Sequence, residues 1–431
     1  MLPARRRPSG LGTLRGVTER TIEVADSPPA TADLVVIGGG IVGCATAFFA
    51  ARAGLRVVVV ERRAALGTLT TPASTGAFRL QFDNPEEIAL VREAVELFDG
   101  FVERTGLDGW DLGLRHGGYL FCSLTDATVE RSRQLVERQH GWGLDDVELL
   151  TGDEARARWP WLSPDVRGAR YRAGDGWLDV KALTIGYATA ASNAPAIAGA
   201  AGSGGATFLT RAEVTGISVQ GDRVVAVETS RGRIATERVL VATGPFTAIT
   251  AALAGVELAV APTRRQKLVI PDLPLVPPDA PMTIHEESAA HWRPAMRGCL
   301  ALYTEAGTEP APAADPVPID HDWAFGLLAP ASEHGLARVA PFWRDVWNDG
   351  APTAHWFLMA GQYEVTPDRR PYIGSVGPDG FFVNGGYSGH GVMAGAGGSR
   401  LAVELVTGVA DASANPFRPD REIAVREHDI L

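Results

Sequence analysis

The hydrophobic pattern of the chain begins with a strand, a glycine turn and a helix. Residues 34–37 form a short apolar run that is typical of a buried parallel strand. Three glycines follow, starting at Gly38, and then an alanine-rich stretch that Gly54 ends. A second strand-like stretch, Arg56 and four valines, leads into Glu61. The pattern therefore predicts a βαβ unit and a parallel sheet.

Two further helices are predicted by their starts and their spacing. Asn84 precedes a proline and two acids, which favours a helix start, and apolar residues then recur at spacings of three and four until Gly106. Residues 381–383 are typical of another buried strand. This strand leads through a glycine-rich turn, 385–391, into a predicted helix that ends at about Thr407.

The remaining stretches predict strands, loops and a tail. Residues 207–244 contain several strand-like runs, with a hairpin turn at Asp222. Small residues, or Pro and Ala, predict surface loops at 193–205, 271–281 and 306–318. Residues 1–31 lack periodicity, which predicts a flexible tail.

Composition and charge exclude several classes of protein. The 431 residues carry a net charge of −11 with scattered basic residues, which disfavours a nucleic-acid binder. Three cysteines form no CxxC pair, so a reducing compartment fits best. Residues 34–51 are apolar enough to resemble a membrane helix, but the glycine triplet offers a better explanation. No secretion signal is recognisable, and we expect a cytoplasmic protein without a membrane partner.

The glycine turn has the pattern of a dinucleotide-binding site. Gly38, Gly40 and Gly43 provide the tight turn, the close approach to pyrophosphate and the packing of helix on strand. Glu61 suits a ribose 2′-hydroxyl and would repel a 2′-phosphate. The turn 385–391 is either a second anion-binding helix start, which would suit a flavin, or only a tight connection.

The chain resembles the glycine/D-amino-acid oxidase (DAO) superfamily of FAD enzymes, above all the sarcosine oxidase β-subunit and the sarcosine, dimethylglycine and proline dehydrogenases. The resemblance lies in stretches 33–61, 72–79, 176–180, 239–246, 363–374 and 386–391. It implies an α/β fold with a Rossmann-like FAD-binding domain of the glutathione-reductase type and a substrate domain with an antiparallel sheet. The predicted FAD-binding domain is discontinuous (32–85, 175–255 and 365–431), and the substrate domain comprises 86–174 and 256–364.

The resemblance also implies which residues hold FAD. The adenosine end is assigned to Gly38, Gly40, Ile41, Val42, Gly43, Glu61, Arg62 and Val214. The flavin and the diphosphate are assigned to Ser74, Thr75, Gly76, Thr243, Gly244, Gly386, Gly389, His390, Gly391, Val392 and Met393.

Two departures from the family pattern change the expectations. The cysteine or histidine that links FAD covalently in some relatives is replaced by residues 360–362 and 72–74, so we expect non-covalent FAD. Sarcosine oxidases have a lysine where this chain has Met393, and another on the strand that corresponds to 298–304, which has none. Only two lysines occur in the chain, and Lys267 could be a substitute for the missing ones.

Five residues are candidates for the substrate site. Arg79 could bind a substrate carboxylate in bidentate fashion, with Arg293 or Arg265 in reserve; its alternative is a surface or phosphate contact. The other candidates are His291, Tyr303, Tyr363 and His390. The strand pattern leaves open whether Tyr303 faces the flavin or points away, and His390 is either a partner of the reduced flavin or a turn residue.

The expected reaction oxidises the C–N bond of a small secondary or tertiary amino acid, N-alkyl or cyclic. The family implies hydride transfer to flavin N5, hydrolysis of the product imine, and re-oxidation by O₂ or an electron-transfer partner. The chain would act alone or within a homo- or hetero-oligomer. The alternatives are an FAD-dependent monooxygenase or reductase, and a flavoprotein subunit with an assembly or binding role.

Overall fold

The computed structural model describes residues 20–194, 205–304, 308–349 and 355–423. Its strands are β1 (Leu34–Ile37), β2 (Arg56–Val60), β3 (Ala77–Phe78), β4 (Tyr119–Ser123), β5 (Glu148–Thr151), β6 (Gly168–Arg172), β7 (Gly176–Trp177), β8 (Gly205–Leu209), β9 (Val214–Gln220), β10 (Arg223–Thr229), β11 (Gly232–Ala235), β12 (Val239–Val241), β13 (Ala261–Ile270), β14 (Met282–His285), β15 (Ala290–Ala295), β16 (Gly298–Leu302), β17 (Phe357–Val365), β18 (Tyr372–Ser375) and β19 (Phe381–Gly385). Its α-helices are α1 (Ile41–Arg52), α2 (Pro85–Asp99), α3 (Phe101–Thr105), α4 (Asp126–Gly141), α5 (Gly152–Arg158), α6 (Val180–Ser192), α7 (Thr247–Ala252), α8 (Trp323–Leu328), α9 (Phe342–Asn348) and α10 (Gly391–Thr407).

A six-stranded sheet, ordered β18-β19-β12-β1-β2-β8, holds the glycine turn. Its strands run parallel except for the edge strand β18. Alternate residues of β1 point to opposite faces: Leu34 and Val36 belong to a core shared with α1, α6 and α10, whereas Val35 and Ile37 pack toward the β9–β10–β11 meander. Burial on both faces explains why the strand reads as a continuous apolar run.

The second large sheet has eight strands, in the order β17-β13-β16-β15-β14-β4-β6-β5. Every pairing in it is antiparallel except that of β14 with β4. One face packs against α8, α9 and their loops around Trp292 and Trp343. The predicted mixed α/β class with an antiparallel sheet is confirmed.

The two sheets draw on different parts of the chain. Strands of the six-stranded sheet come from the segments assigned to the FAD-binding domain, and strands of the eight-stranded sheet come from 119–172 and 261–365. The domain boundaries themselves stay a prediction. Within the described residues, no helix is both long enough and apolar enough to cross a membrane.

Two expectations about local structure need correction. The helix predicted from Asn84 to Gly106 is divided at Gly100 into α2 and α3, although Asn84 caps α2 as predicted by accepting from the Glu87 N–H. Residues 22–31 are not a free tail, since Val24 bridges to Phe208 and residue 31 bridges to residue 235. These backbone pairings extend the edge of the parallel sheet and the meander. Residues 1–19 and most of the loop 193–205 lie outside the described residues.

Candidate functional site

A cavity of about 450 Å³ lies between the two sheets. Its wall contains the glycine turn after β1, the segment 67–79, the turn after β19 and the face of the eight-stranded sheet opposite α8 and α9. This volume falls within the usual range for cofactor and small-molecule sites. We call the part near the glycine turn the nucleotide end and the part under the eight-stranded sheet the sheet end.

The nucleotide end requires glycine for steric reasons. Gly38 has a φ of +109°, and a Cβ there would lie 2.4 Å from the Ala242 carbonyl oxygen. A Cβ on Gly43 would lie 1.9 Å from the Gly38 carbonyl oxygen. Both clashes would be with backbone atoms, so the backbone would have to move to relieve them. Gly43 does not itself line the cavity, so it acts by seating α1 on the turn.

Glu61 is fixed at the end of β2 by two backbone donors. Its Oε2 accepts from the Gly39 N–H at 2.8 Å and its Oε1 accepts from the Arg63 N–H at 2.7 Å. Beside it, Arg62 stacks on Phe246, with 3.9 Å from the guanidinium carbon to the ring centre. The acid predicted to recognise a ribose is therefore held in the cavity wall.

At the sheet end, Arg79 is buried and lines the cavity. Its Nη1 donates to the Gln81 carbonyl at 3.0 Å, and its guanidinium carbon lies 4.5 Å from the centre of the Phe82 ring. Burial lowers the pKa of Arg79, while nearby acids, among them Asp175 and Glu87, raise it. A guanidinium at this depth is well placed to bind an anion that enters the cavity.

His291 is neutral at ordinary pH. Its ring Nδ1 lies 2.8 Å from the Ala289 carbonyl, so Nδ1–H is the donor and Nε2 is the acceptor. Burial lowers the pKa of His291 to about 4. In the sheet, His291 on β15 is paired with Leu302 on β16 and with Ile284 on β14, and all three residues line the cavity.

Tyr363 and the glycine turn after β19 meet at the sheet end. A Cβ on Gly389 would lie 2.6 Å from the Tyr363 ring, so the turn needs glycine there. The Arg265 guanidinium carbon lies 5.4 Å from the centre of the same ring, and burial raises the pKa of the phenol. His390 lines the cavity next to the turn, with its Nδ1 3.6 Å from Glu87 Oε1.

Tyr303 does not belong to this site. It follows Leu302, which faces the cavity, and successive residues of a strand point to opposite faces. Its ring therefore stacks between Trp323, at 4.9 Å, and His334, at 4.6 Å, in the core behind the sheet. Of the two directions that the sequence left open for Tyr303, the structure shows the one away from the cavity.

Lys267 and Arg293 hold the cavity wall from behind and do not line it. The Lys267 ammonium donates to the carbonyls of Pro72 at 2.8 Å and Ser74 at 2.6 Å. Arg293 donates to the Thr75 carbonyl through Nε at 2.9 Å and Nη2 at 2.5 Å. Burial lowers the pKa of Lys267 to about 8 and that of Arg293 to about 10.

Most of the residues predicted for the cofactor converge on the cavity. Those that line it are Gly38, Gly40, Ile41, Val42, Glu61, Arg62, Ser74, Thr75, Val214, Thr243, Gly244, Gly389, His390, Gly391, Val392 and Met393. Gly43, Gly76 and Gly386 lie behind the wall, where a Cβ would meet neighbouring atoms at 1.9, 2.2 and 2.6 Å.

The sequence reasoning missed several polar residues of the wall. Glu364 is buried, accepts from the Thr247 hydroxyl at 3.1 Å, and has a pKa raised by burial. Its position next to Tyr363 in the Tyr-Glu-x-Thr-Pro-Asp stretch was a usable signal. Gln266 and Gln362 line the cavity from neighbouring strands, and no motif marked them.

Comparison with known families decides the family. The model of the DAO family, described as FAD dependent oxidoreductase, matches residues 33–405. The chain is a DAO-family FAD-dependent oxidoreductase. The resemblance stated from the motifs is thereby confirmed, and FAD is its cofactor.

This DAO-family protein is similar to several amino-acid oxidases and dehydrogenases. Mouse (Mus musculus) mitochondrial sarcosine dehydrogenase is 26% identical over 401 residues, which cover 88% of this chain but only 40% of that protein. Glycine oxidase of Pseudomonas aeruginosa is 28% identical over 394 residues, 87% of this chain and 94% of that protein. The crystal structure of L-proline dehydrogenase from P. horikoshii matches with a TM-score of 0.76 at 24% identity, covering 91% and 98% of the two chains.

The cavity of the DAO-family protein fits FAD by its own chemistry. The hydroxyl of Thr243 is buried in the cavity wall and has no hydrogen-bond partner among the described residues. Gly38 and Gly389 line the cavity with backbone that carries no side chain. A bound dinucleotide would give this hydroxyl a hydrogen-bond partner, and its phosphates could approach the backbone of the two glycine turns.

Proposed function

We propose that this enzyme oxidises the C–N bond of a small amino acid whose nitrogen is secondary or tertiary, either N-alkylated or cyclic. The observation that carries the proposal is the position of Arg79, a buried guanidinium in the wall of the same cavity that holds the dinucleotide motif. The names of the relatives, sarcosine dehydrogenase and L-proline dehydrogenase, support a secondary amine. That of glycine oxidase supports a small carboxylate substrate.

In this proposal, FAD supplies a two-electron acceptor, and the residues of the chain orient the substrate beside it. Arg79 binds the carboxylate, because guanidinium and carboxylate match in bidentate geometry. Tyr363, whose phenol stays protonated, offers a hydroxyl donor or acceptor at the same end. His291 stays neutral, so it adds no positive charge that would repel a protonated amine.

The electron acceptor is proposed to be an electron-transfer partner rather than O₂. Lys267, the only lysine that the sequence offers near the roof of the cavity, donates to two backbone carbonyls and does not line the cavity. It therefore does not replace the lysine that sarcosine oxidases have where oxygen reacts. O₂ stays the alternative acceptor.

The experiment is anaerobic reduction of the purified yellow protein by sarcosine, proline, dimethylglycine and glycine, followed by admission of air. The proposal expects bleaching by at least one N-alkyl or cyclic amino acid and slow return of colour in air. Bleaching by glycine alone would contradict the secondary-amine assignment. Bleaching by NADPH without any amine would identify the reductase alternative.

We also propose that FAD is held without a covalent bond. The three cysteines, at 44, 122 and 299, are all buried and none lines the cavity. Precipitation with acid is expected to release all of the yellow colour into the supernatant. Flavin that stays with the denatured chain would overturn this assignment.

A further inference from the structure

The segment 311–320, which we call the strap, is tied to the outside of the cavity wall. Gln362 accepts from the Ala314 N–H at 2.8 Å and donates to the Pro312 carbonyl at 3.0 Å. Gln266 accepts from the Asp320 N–H at 2.6 Å and donates to its carbonyl at 3.3 Å. Both glutamines are buried and line the cavity. The strap is thus fixed at two points by residues of the wall itself.

Between these two points, Asp315 reaches the nucleotide end. Its Oδ2 pairs with Arg62 Nη2 at 2.8 Å, and its Oδ1 pairs with Arg63 Nη1. Both arginines line the cavity, directly after Glu61. One carboxylate therefore holds two cationic side chains of the cofactor site.

Each arginine has a second contact that fixes its direction. Arg62 stacks on Phe246, and Arg63 donates from Nε to the Thr68 hydroxyl at 2.9 Å. The side chains of the three charged residues are between 23% and 33% exposed, so their attraction is screened by salt. None of the strap residues lines the cavity.

We propose that Asp315 is a positioning residue for FAD. It holds Arg62 and Arg63 at the nucleotide end. The strap that carries it is bound to Gln266 and Gln362 of the eight-stranded sheet. The strap then links cofactor retention to the packing of the two sheets. The inference rests on the proposed dissociable FAD and is independent of the substrate.

The test is the rate of FAD release from the holoenzyme, followed by the rise of free flavin fluorescence after dilution. Asp315→Asn should release FAD about three- to ten-fold faster, since two partly exposed ion pairs are lost. Added salt should speed release from the wild-type protein and leave Asp315→Asn almost unchanged. Asp315→Glu, which keeps the carboxylate, should recover most of the wild-type rate.

Glu309→Gln is the matched control, because it removes the same charge from an exposed residue just before the strap. It should release FAD at the wild-type rate. An equal acceleration in both variants would show an effect of net charge alone, and unchanged or slower release from Asp315→Asn would overturn the proposal. Circular dichroism of the FAD-free forms separates these outcomes from loss of folding. FAD retained after acid precipitation would instead contradict the proposed non-covalent cofactor.

Discussion

The two ends of the cavity are built in different ways. The nucleotide end is built mainly from backbone. Gly38 and Gly43 permit close approach of the glycine turn to neighbouring backbone, and Glu61 is fixed by backbone N–H groups. At the sheet end, side chains form the site, and buried cations stand in its wall and behind it. Arg79 lines the cavity there, and Lys267 holds its wall from behind.

The difference in construction implies a difference in sensitivity. A backbone surface is damaged by any added side chain, because peptide groups cannot rearrange locally. An end that depends on buried titratable side chains is damaged by loss of a side chain and by a change of pH, because burial shifts the protonation equilibria of these groups. Each variant below tests one side of this comparison.

The largest effect is expected from Gly43→Ala. The new Cβ would lie 1.9 Å from the Gly38 carbonyl oxygen, so α1 must move away from the glycine turn. We expect loss of bound FAD and a drop of about 3 kcal/mol in the free energy of unfolding. Gly141→Ala, at the end of α4 with nothing within 4 Å of the new Cβ, is the control and should keep its flavin. Flavin content and urea titration check both.

This contrast also shows what could be predicted from sequence. The strand, turn, helix and acid of the nucleotide end lie within residues 34–61 and are spaced by local geometry, so their pattern is readable. The sheet end joins residues 79, 291 and 363 from strands and loops far apart in the chain. The family resemblance suggested these residues, but it did not reveal that Tyr303 faces away or that Lys267 binds a carbonyl pair.

The second variant is Arg79→Ala, which removes the proposed carboxylate partner. Loss of a buried charged partner costs about 4 kcal/mol, so the KM for a carboxylate substrate should rise about 1000-fold with FAD retained. Arg79→Lys keeps the charge but loses the bidentate match, so its KM should lie between those of the wild-type protein and Arg79→Ala. An unchanged KM in Arg79→Ala would remove this residue from the substrate site.

His291 gives the third test, through the acid limb of stability. Its pKa is about 4 in the folded protein and 6.5 in the reference state, so the unfolded chain binds more protons between these values. Stability that His291 contributes is present above pH 6.5 and is lost as the pH falls toward 4, by about 3 kcal/mol. His291→Asn should flatten this loss in denaturant titrations at pH 4.5 and 7. His321→Asn, at an exposed position, should not.

Lys267 gives the same sign as His291, in a more alkaline pH range. Its pKa falls from 10.5 to about 8 on folding, so between these values the unfolded chain again holds the extra proton. Stability therefore rises as the pH increases through 8, because the cost of the buried ammonium disappears. Relative to Lys267→Met, the wild-type protein should gain about 2 kcal/mol between pH 7.5 and 9.5.

The other lysine of the chain supplies the control for this measurement. Lys181 is exposed at the start of α6, and Lys181→Met should follow the wild-type pH profile. If Lys267→Met also follows it, the ammonium is not buried against the carbonyls of Pro72 and Ser74.

The smallest effect separates the two faces of the eight-stranded sheet. Tyr303→Phe keeps the ring stacked between Trp323 and His334, so the free energy of unfolding should change by less than about 1 kcal/mol. Substrate KM and the rate of flavin reduction should not change. Tyr363→Phe removes a hydroxyl within the cavity and should raise KM while leaving stability similar. Equal kinetic effects in the two variants would mean that the core position of Tyr303 and the cavity position of Tyr363 do not differ in function, and the assignment of the sheet end would fail.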